Sequence, residues 1–347
     1  MRQRSKASTA KCNCSLYTLF LLAEPKYVSC VRLGEILAEV SHDSVNRFLL
    51  RECYKPEDLF NEVKEEVELE AGILSVDDSV EDKPYREVGK SALVGYFWSG
   101  KHKRTVKGID LTTLYYTDPS GRSYPVNYRL YDKQEGKTKN DDFREMVIEV
   151  QQWGLKPAWI TGDSWFSSLD NLKFLRNEEV GFLFGIANNR QVSLEPGKLV
   201  QVHTLEIPPT GLVVYLKKFG WVKVFCQSFK NVRRYYILFS PHAQGTTEAK
   251  SEQQQLTLVQ FKQLHDSHWQ IEYFHRVIKQ VCNIERFYVR QEQAIRNHFF
   301  CALRAFTKLQ SLSIQGVIQN AYEISRQLFI PVIREFICTY STEATFA

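Results

Sequence analysis

The sequence predicts an α/β protein: a mixed sheet flanked by helices, interrupted by a β-rich insertion and preceded by a helical N-terminal region. Three observations point there. Before residue 70, apolar residues recur at helical spacing; from residue 73, short apolar runs bounded by turn signals alternate with helical stretches. Residues 190–243 then hold only short β-like runs. The expected divisions are 1–70, helical; 71–189, the first part of an α/β core; 190–250, the insertion; and 251–347, the helical remainder of the core with C-terminal helices.

Each element has its own signal. In "RLGEILAEVSHDSVNRFLL" (32–50) the helical pattern breaks near Ser41, and Ser41 or Asp43 can cap a second helix. This is a helical hairpin or a helix-turn-helix that could read DNA ends. "EDLFNEVKEEVELE" carries seven acids and one lysine and reads as a solvated helix. "GILSVDD" is a buried strand, "GIDLTTLYYT" (108–117) a second, and "YPVNYRLYD" its return after the turn "DPSGRS". Residues 139–154 form a helix ending at Gly154. "KPAWITGD" (156–163) is a strand closing on an aspartate, "SLDNLKFLRNEE" a helix capped by Ser168 or Asp170, and "VGFLFGIAN" a further strand.

Bulk properties narrow the classes. The 347 residues are 44% hydrophobic and 24% charged, enough for a buried core, and the net charge of +5 alone implies no nucleic-acid partner. Eight cysteines include no CxxC pair, and Cys12 and Cys14 stand too close for a zinc knuckle, so reduced structural thiols in a cytoplasmic protein are expected. "MRQRSKASTAK" followed by "SLYTLFLLA" has the outline of a signal peptide, but "EPKYVSC" makes a poor cleavage site. No run reaches 18 apolar residues, so no membrane span is expected.

In α/β sheets, chemistry gathers at strand ends. Asp78 closes "GILSVDD" and Asp163 closes "AWITGD". Asp77 and Asp78 point to opposite faces of a strand, so only one of them can share a site with Asp163. A third acid lies in "HDSHWQIEYFHRVIKQ" (265–280). There Glu272, His275, Arg276 and Lys279 are spaced i, i+3, i+4 and i+7, with His265 and His268 on the same face. A metal cage of the three histidines and Glu272 is excluded, because ligands strung over ten helical residues span about 15 Å. A solvated charged face is the plain alternative. The sharper one is a single carboxylate that joins distant aspartates around a divalent ion, flanked by cations for phosphate.

This arrangement resembles the DDE transposases of bacterial insertion sequences, in particular the insertion-sequence-four group and its 701 relatives. Their helix signature is tyrosine, two residues, arginine, three residues, glutamate, six residues, lysine. Counted from Glu272, the lysine falls on Lys279, while the tyrosine and arginine positions hold His265 and His268. The resemblance covers roughly residues 70–310 and implies an RNase H-like core with a β insertion after the second aspartate. It selects Asp78, which precedes Ser79, over Asp77. It makes Asp78, Asp163 and Glu272 the catalytic, metal-holding acids, with Asp78 bridging two ions. It implies Mg²⁺, with Mn²⁺ as a substitute. It assigns DNA contacts to Lys279, Arg276, His268 and Lys83, and to Trp221 as a base-stacking residue. It implies double-stranded DNA partners, at element ends and target, and a homodimer on DNA in the bacterial cytoplasm.

Three crowded acids need oxygen-loving divalent cations to coexist, and a pair of such ions suits phosphodiester cleavage and joining. The charge pattern agrees. From Ile207 to Thr247 there is no acid, while Lys217, Lys218, Lys223, Lys230, Arg233 and Arg234 interleave with aromatics; "SGKHKRTVK" (99–107) is a second basic stretch. The competing functions are an RNase H-like nuclease without strand transfer and an inactive DNA-binding relative. The first lacks joining activity, and the second lacks metal-dependent nicking.

Overall fold

The computed structural model describes residues 11–85, 91–195, 197–230, 232–241 and 247–341. Two compact units divide the chain: residues 1–59, 80–109 and 274–347 form one, and residues 60–79 and 110–273 the other. These boundaries differ from the four expected segments. The β-rich stretch lies within the second unit.

The chain begins with helices α1 (Cys14–Ala23), α2 (Cys30–Ile36), α3 (His42–Arg51) and α4 (Pro56–Val63). Ser41 caps α3 by accepting the Ser44 N–H. Strands β1 (Ile73–Asp82), β2 (Gly95–Ser99), β3 (Arg104–Thr117) and β4 (Ser123–Leu130) follow. Helix α5 (Lys139–Gln152), strand β5 (Trp159–Gly162), helix α6 (Leu169–Asn177) and strand β6 (Gly181–Ile186) come next. Strands β7 (Gln191–Ser193), β8 (Leu199–Gln201), β9 (Leu212–Leu216), β10 (Gly220–Phe229) and β11 (Val232–Phe239) complete the sheet. Helices α7 (Thr247–Gln255), α8 (Leu258–Gln280), α9 (Glu292–Ile314), α10 (Ala321–Gln327) and α11 (Ile330–Ser341) close the chain.

In the second unit the strand order is β4–β3–β1–β5–β6, continued by β11–β10–β9–β7–β8. Strands β3 and β4 are antiparallel, whereas β1, β5 and β6 run parallel. That order and those directions are the RNase H-like arrangement. The insertion enters as an antiparallel extension: β11 pairs with β6 from Tyr235↔Ile186 to Phe239↔Phe182. One core therefore runs beneath both parts, from Leu74, Val76 and Phe143 to Val214, Val224 and Ile237. Burial of so many β-branched and aromatic side chains on a pleated surface is what holds the extension to the core strands.

In the first unit, buried asparagines close helix ends. Asn297 Nδ2 donates to the carbonyls of Leu49 and Glu52 at the end of α3, and Asn283 Nδ2 to those of Leu21 and Glu24 at the end of α1. The apolar run that resembles a signal peptide is α1, with Tyr17, Phe20, Leu21 and Leu22 buried. "SGKHKRTVK" spans the tip of a hairpin: β2 pairs with β3 from Gly95↔Gly108 to Ser99↔Arg104. Among the described residues, no two cysteines are joined by a disulfide. Among the described residues, no helix is long and apolar enough to cross a membrane.

Candidate active site

Parallel pairing fixes the geometry of the acids. β1 and β5 pair from Ile73↔Trp159 to Val76↔Gly162, and the Ser75 and Thr161 hydroxyls lie 2.8 Å apart on one face. Two residues on, the pleat carries Asp77 and Asp163 to that same face. The last residue of β5 is Gly162 because the spot is crowded: a methyl group there would sit 2.5 Å from Phe184 and 2.8 Å from Val76. Asp163 then turns the chain, its Oδ1 accepting the Trp165 N–H at 2.9 Å. Removal from water, then the neighbouring Asp77 and less strongly Asp78, push the Asp163 carboxyl up to about 6, against the N–H groups of Trp165 and Phe166.

Asp78 is committed elsewhere. Its Oδ2 takes the Lys139 ammonium at 2.8 Å, and the same ammonium pairs with the fully buried Asp110 of β3. Burial, and then Asp78, raise the Asp110 carboxyl, with Lys139 opposing. Burial alone would lower Lys139, but Asp110 and Asp78 raise it above its ordinary value. The structure thus places Asp77 on the Asp163 side of β1 and pairs Asp78 with Lys139, while both aspartates act on the Asp163 carboxyl. Asp77 in turn accepts the Asp78 backbone N–H at 2.8 Å.

Glu272, exposed on α8, lines the same open cleft of about 420 Å³ as Asp163. His265, His268 and Trp269 of α8 share it, as do Arg233, Arg234 and Tyr236 of β11. His268 Nδ1 and the Thr161 hydroxyl share a 3.2 Å hydrogen bond. Burial lowers His265 below its ordinary value, with Asp266 opposing and Arg234 adding to the effect. Neither β1 aspartate lines the cleft. Among the described residues, no three His, Cys, Asp or Glu side chains gather closely enough to hold a metal ion. The expected convergence of three acids is thus absent from this conformation. The donors nonetheless suit a divalent cation in kind, being hard carboxylate oxygens, and the Asp163 carboxyl is raised by burial first and by repulsion from Asp77 second.

Several expected DNA contacts are internal. Lys279 donates to the Val80 carbonyl at 2.8 Å and lies 3.7 Å from Glu81 and 3.8 Å from Glu285. Lys83 is buried, bonded to the Glu285 carbonyl with its Nζ 3.4 Å from the centre of the Phe287 ring. Lys223 is buried too, donating to the Gln254 and Leu256 carbonyls. These long cations complete hydrogen bonds inside the fold, which spacing along the chain does not reveal. His275 is likewise buried. Arg276 is exposed. Trp221 lies outside the cleft, edge-on to Tyr215 at 5.5 Å with the Lys250 ammonium 4.6 Å above its ring. The exposed tryptophans by the acids are Trp269 and Trp165, neither anticipated from sequence. Asp110 had a sequence signal, a lone acid inside an apolar strand pattern; Arg234 and Trp269 had none stronger than a basic or aromatic stretch.

No curated protein matches the chain. Among solved structures, the Drosophila P element transposase strand transfer complex matches at 8% identity, over 97% of this chain and 88% of that one, with a TM-score of 0.29, too slight a likeness to carry weight. The family model of the transposase DDE domain matches residues 89–307, including Asp163 and Glu272 and beginning after β1. That span is well over half of the 347 residues, and the chain belongs to the transposase DDE domain family.

Proposed function

We propose that this chain is a DNA transposase of the insertion-sequence type, binding the ends of its element, cutting the strands there and joining them to target DNA. The observation that carries the reading is the meeting of Asp163 and Glu272 in one cleft at the end of β5. Asp77, on the Asp163 face of β1, is the third acid of the reading, in place of Asp78. These three would hold divalent cations, Mg²⁺ or Mn²⁺, which when bound activate the attacking oxygen and stabilise the leaving one.

The chain's own groups set the stage for that chemistry. The Trp165 and Phe166 N–H groups fix the Asp163 carboxylate at the strand end. The Thr161–His268 bond ties α8, and with it Glu272, to β5. Bringing Asp77 inward requires its carboxylate to leave the Asp78 N–H, a side-chain rotation within one strand residue. A homodimer on two DNA ends in a bacterial cytoplasm belongs to the same reading.

The test uses the full chain, a duplex carrying a pre-cleaved element end, a target plasmid and Mg²⁺. Joined product is expected from the wild type, and none from Asp163→Asn, Glu272→Gln or Asp77→Asn, while Asp78→Asn retains the activity if its fold survives. Nicking without joining would replace this reading by a nuclease. Joining by Asp163→Asn would overturn the site.

A further inference from the structure

The permanent positive charge in the cleft comes from the sheet, not from the helix that carries Glu272. On α8 the residues facing the cleft are His265, His268, Trp269 and Glu272. Burial, with Arg234 adding and Asp266 opposing, holds His265 below its ordinary value, and His268 is engaged with Thr161. Lys279 and Lys83 are spent on internal carbonyls. β11 supplies the missing cations, Arg233 and Arg234, both exposed.

Of these two, Arg234 has the better placement. It shares a strand face with Tyr236, to whose phenol it hydrogen-bonds. The Tyr236 ring meets His265 edge-on at 5.3 Å, so this is the face turned to α8. A guanidinium held there lines the same cleft as Asp163 and Glu272, and its planar fork matches two oxygens of one phosphate. The acids repel a bare phosphodiester. A strand entering the cleft therefore needs a fixed counter-charge before any cation arrives.

We propose that Arg234 grips a DNA phosphate next to the bond that is cut, positioning the strand across Asp163 and Glu272. This rests on the transposase reading above and names the residue that seats its substrate.

The test measures binding of the full chain to end duplexes in EDTA, so that no cleavage intervenes. Each duplex carries one uncharged methylphosphonate, moved stepwise across the cleavage point. The wild type is expected to lose about tenfold in affinity at one or two positions beside the scissile bond. Arg234→Gln should bind the unmodified duplex about tenfold more weakly, with a salt dependence shallower by about one phosphate contact. It should lose nothing further at one of those positions. Arg234→Lys, which keeps the charge, should restore sensitivity there. Equal methylphosphonate losses in wild type and Arg234→Gln at every position would overturn the assignment. Should Asp163→Asn abolish cleavage at the same time, the transposase reading would still stand. A wild type that binds no end DNA would overturn both.

Discussion

Asp163 sits at the mouth of the cleft with two aspartates of β1 as neighbours, and its carboxyl is held up to about 6 by burial, Asp77 and Asp78. An acid whose folded pKa exceeds its unfolded value of about 3.9 destabilises the fold once ionised. The native chain keeps the proton to higher pH, so stability falls as pH rises from about 4 through 6. The displacement is worth up to about 3 kcal/mol in a dry interior, and solvent access to Asp163 cuts that to about 1 kcal/mol. Asp163→Asn in EDTA should therefore melt higher than wild type at pH 7.5, with the gain gone by pH 3.5. Asparagine keeps an acceptor for the Trp165 N–H. A variant that melts lower at pH 7.5 would show Asp163 to be structural rather than strained. At this scale the sequence was partly legible. A strand pattern ending in "TGD" marks Asp163 because Gly162 is forced by Phe184 and Val76. The placement of Asp77 and Asp78 was not legible, because it depends on Lys139, which is 61 residues away along the chain and adjacent only after folding.

Helix α5 shows the same dependence one level up. Its first residue, Lys139, joins Asp78 of β1 to Asp110 of β3, while the capping box of Thr138 and Asp141 closes its N-terminus. Asp110 is wholly buried and Lys139 nearly so, so removing the ammonium strands a carboxylate in the interior. Breaking such a pair from one side costs about 3–5 kcal/mol. Lys139→Met should lose that amount in urea unfolding, and Lys139→Met with Asp110→Asn should recover most of it, since the second change removes the stranded charge. Equal losses in the single and double variants would mean that the lysine acts through packing alone. Local pattern located α5 and α6 by their helical repeat and β5 and β6 by short apolar runs, because the two strands are buried on both faces. It missed β2 and the union of β11 with β6, because pairing between distant strands leaves no local pattern. For the same reason Arg234 looked like one basic residue among many.

The two units carry titrating groups of opposite sense, and this shapes the whole molecule's response to acid. In the first, His298 is fully buried between the Tyr17 hydroxyl at 3.0 Å and the Ile284 carbonyl at 3.1 Å. Burial, with Lys83 adding, lowers it to about 3. A histidine depressed in this way is neutral when folded and charges readily when unfolded, so its contribution is lost as pH drops below about 6.5, by about 1.4 kcal/mol per pH unit. In the second unit, Asp163 and Asp142, each raised to about 6 chiefly by burial, and the raised Asp110 gain stability over the same descent, with His265 opposing. Hydrogen exchange at pH 7.5 and 5.5, corrected for intrinsic rates, separates the two. Opening free energies of α1 and α9 amides should fall by about 1 kcal/mol, while those of β5 and β6 should rise. His298→Gln, which keeps a hydrogen-bonding side chain without the titration, should flatten the first trend and leave the second. If α9 and β5 amides moved in the same direction, the acid response would belong to the molecule's net charge and not to these buried groups. The second unit is thus least stable where Asp163, Asp142 and Asp110 are all ionised.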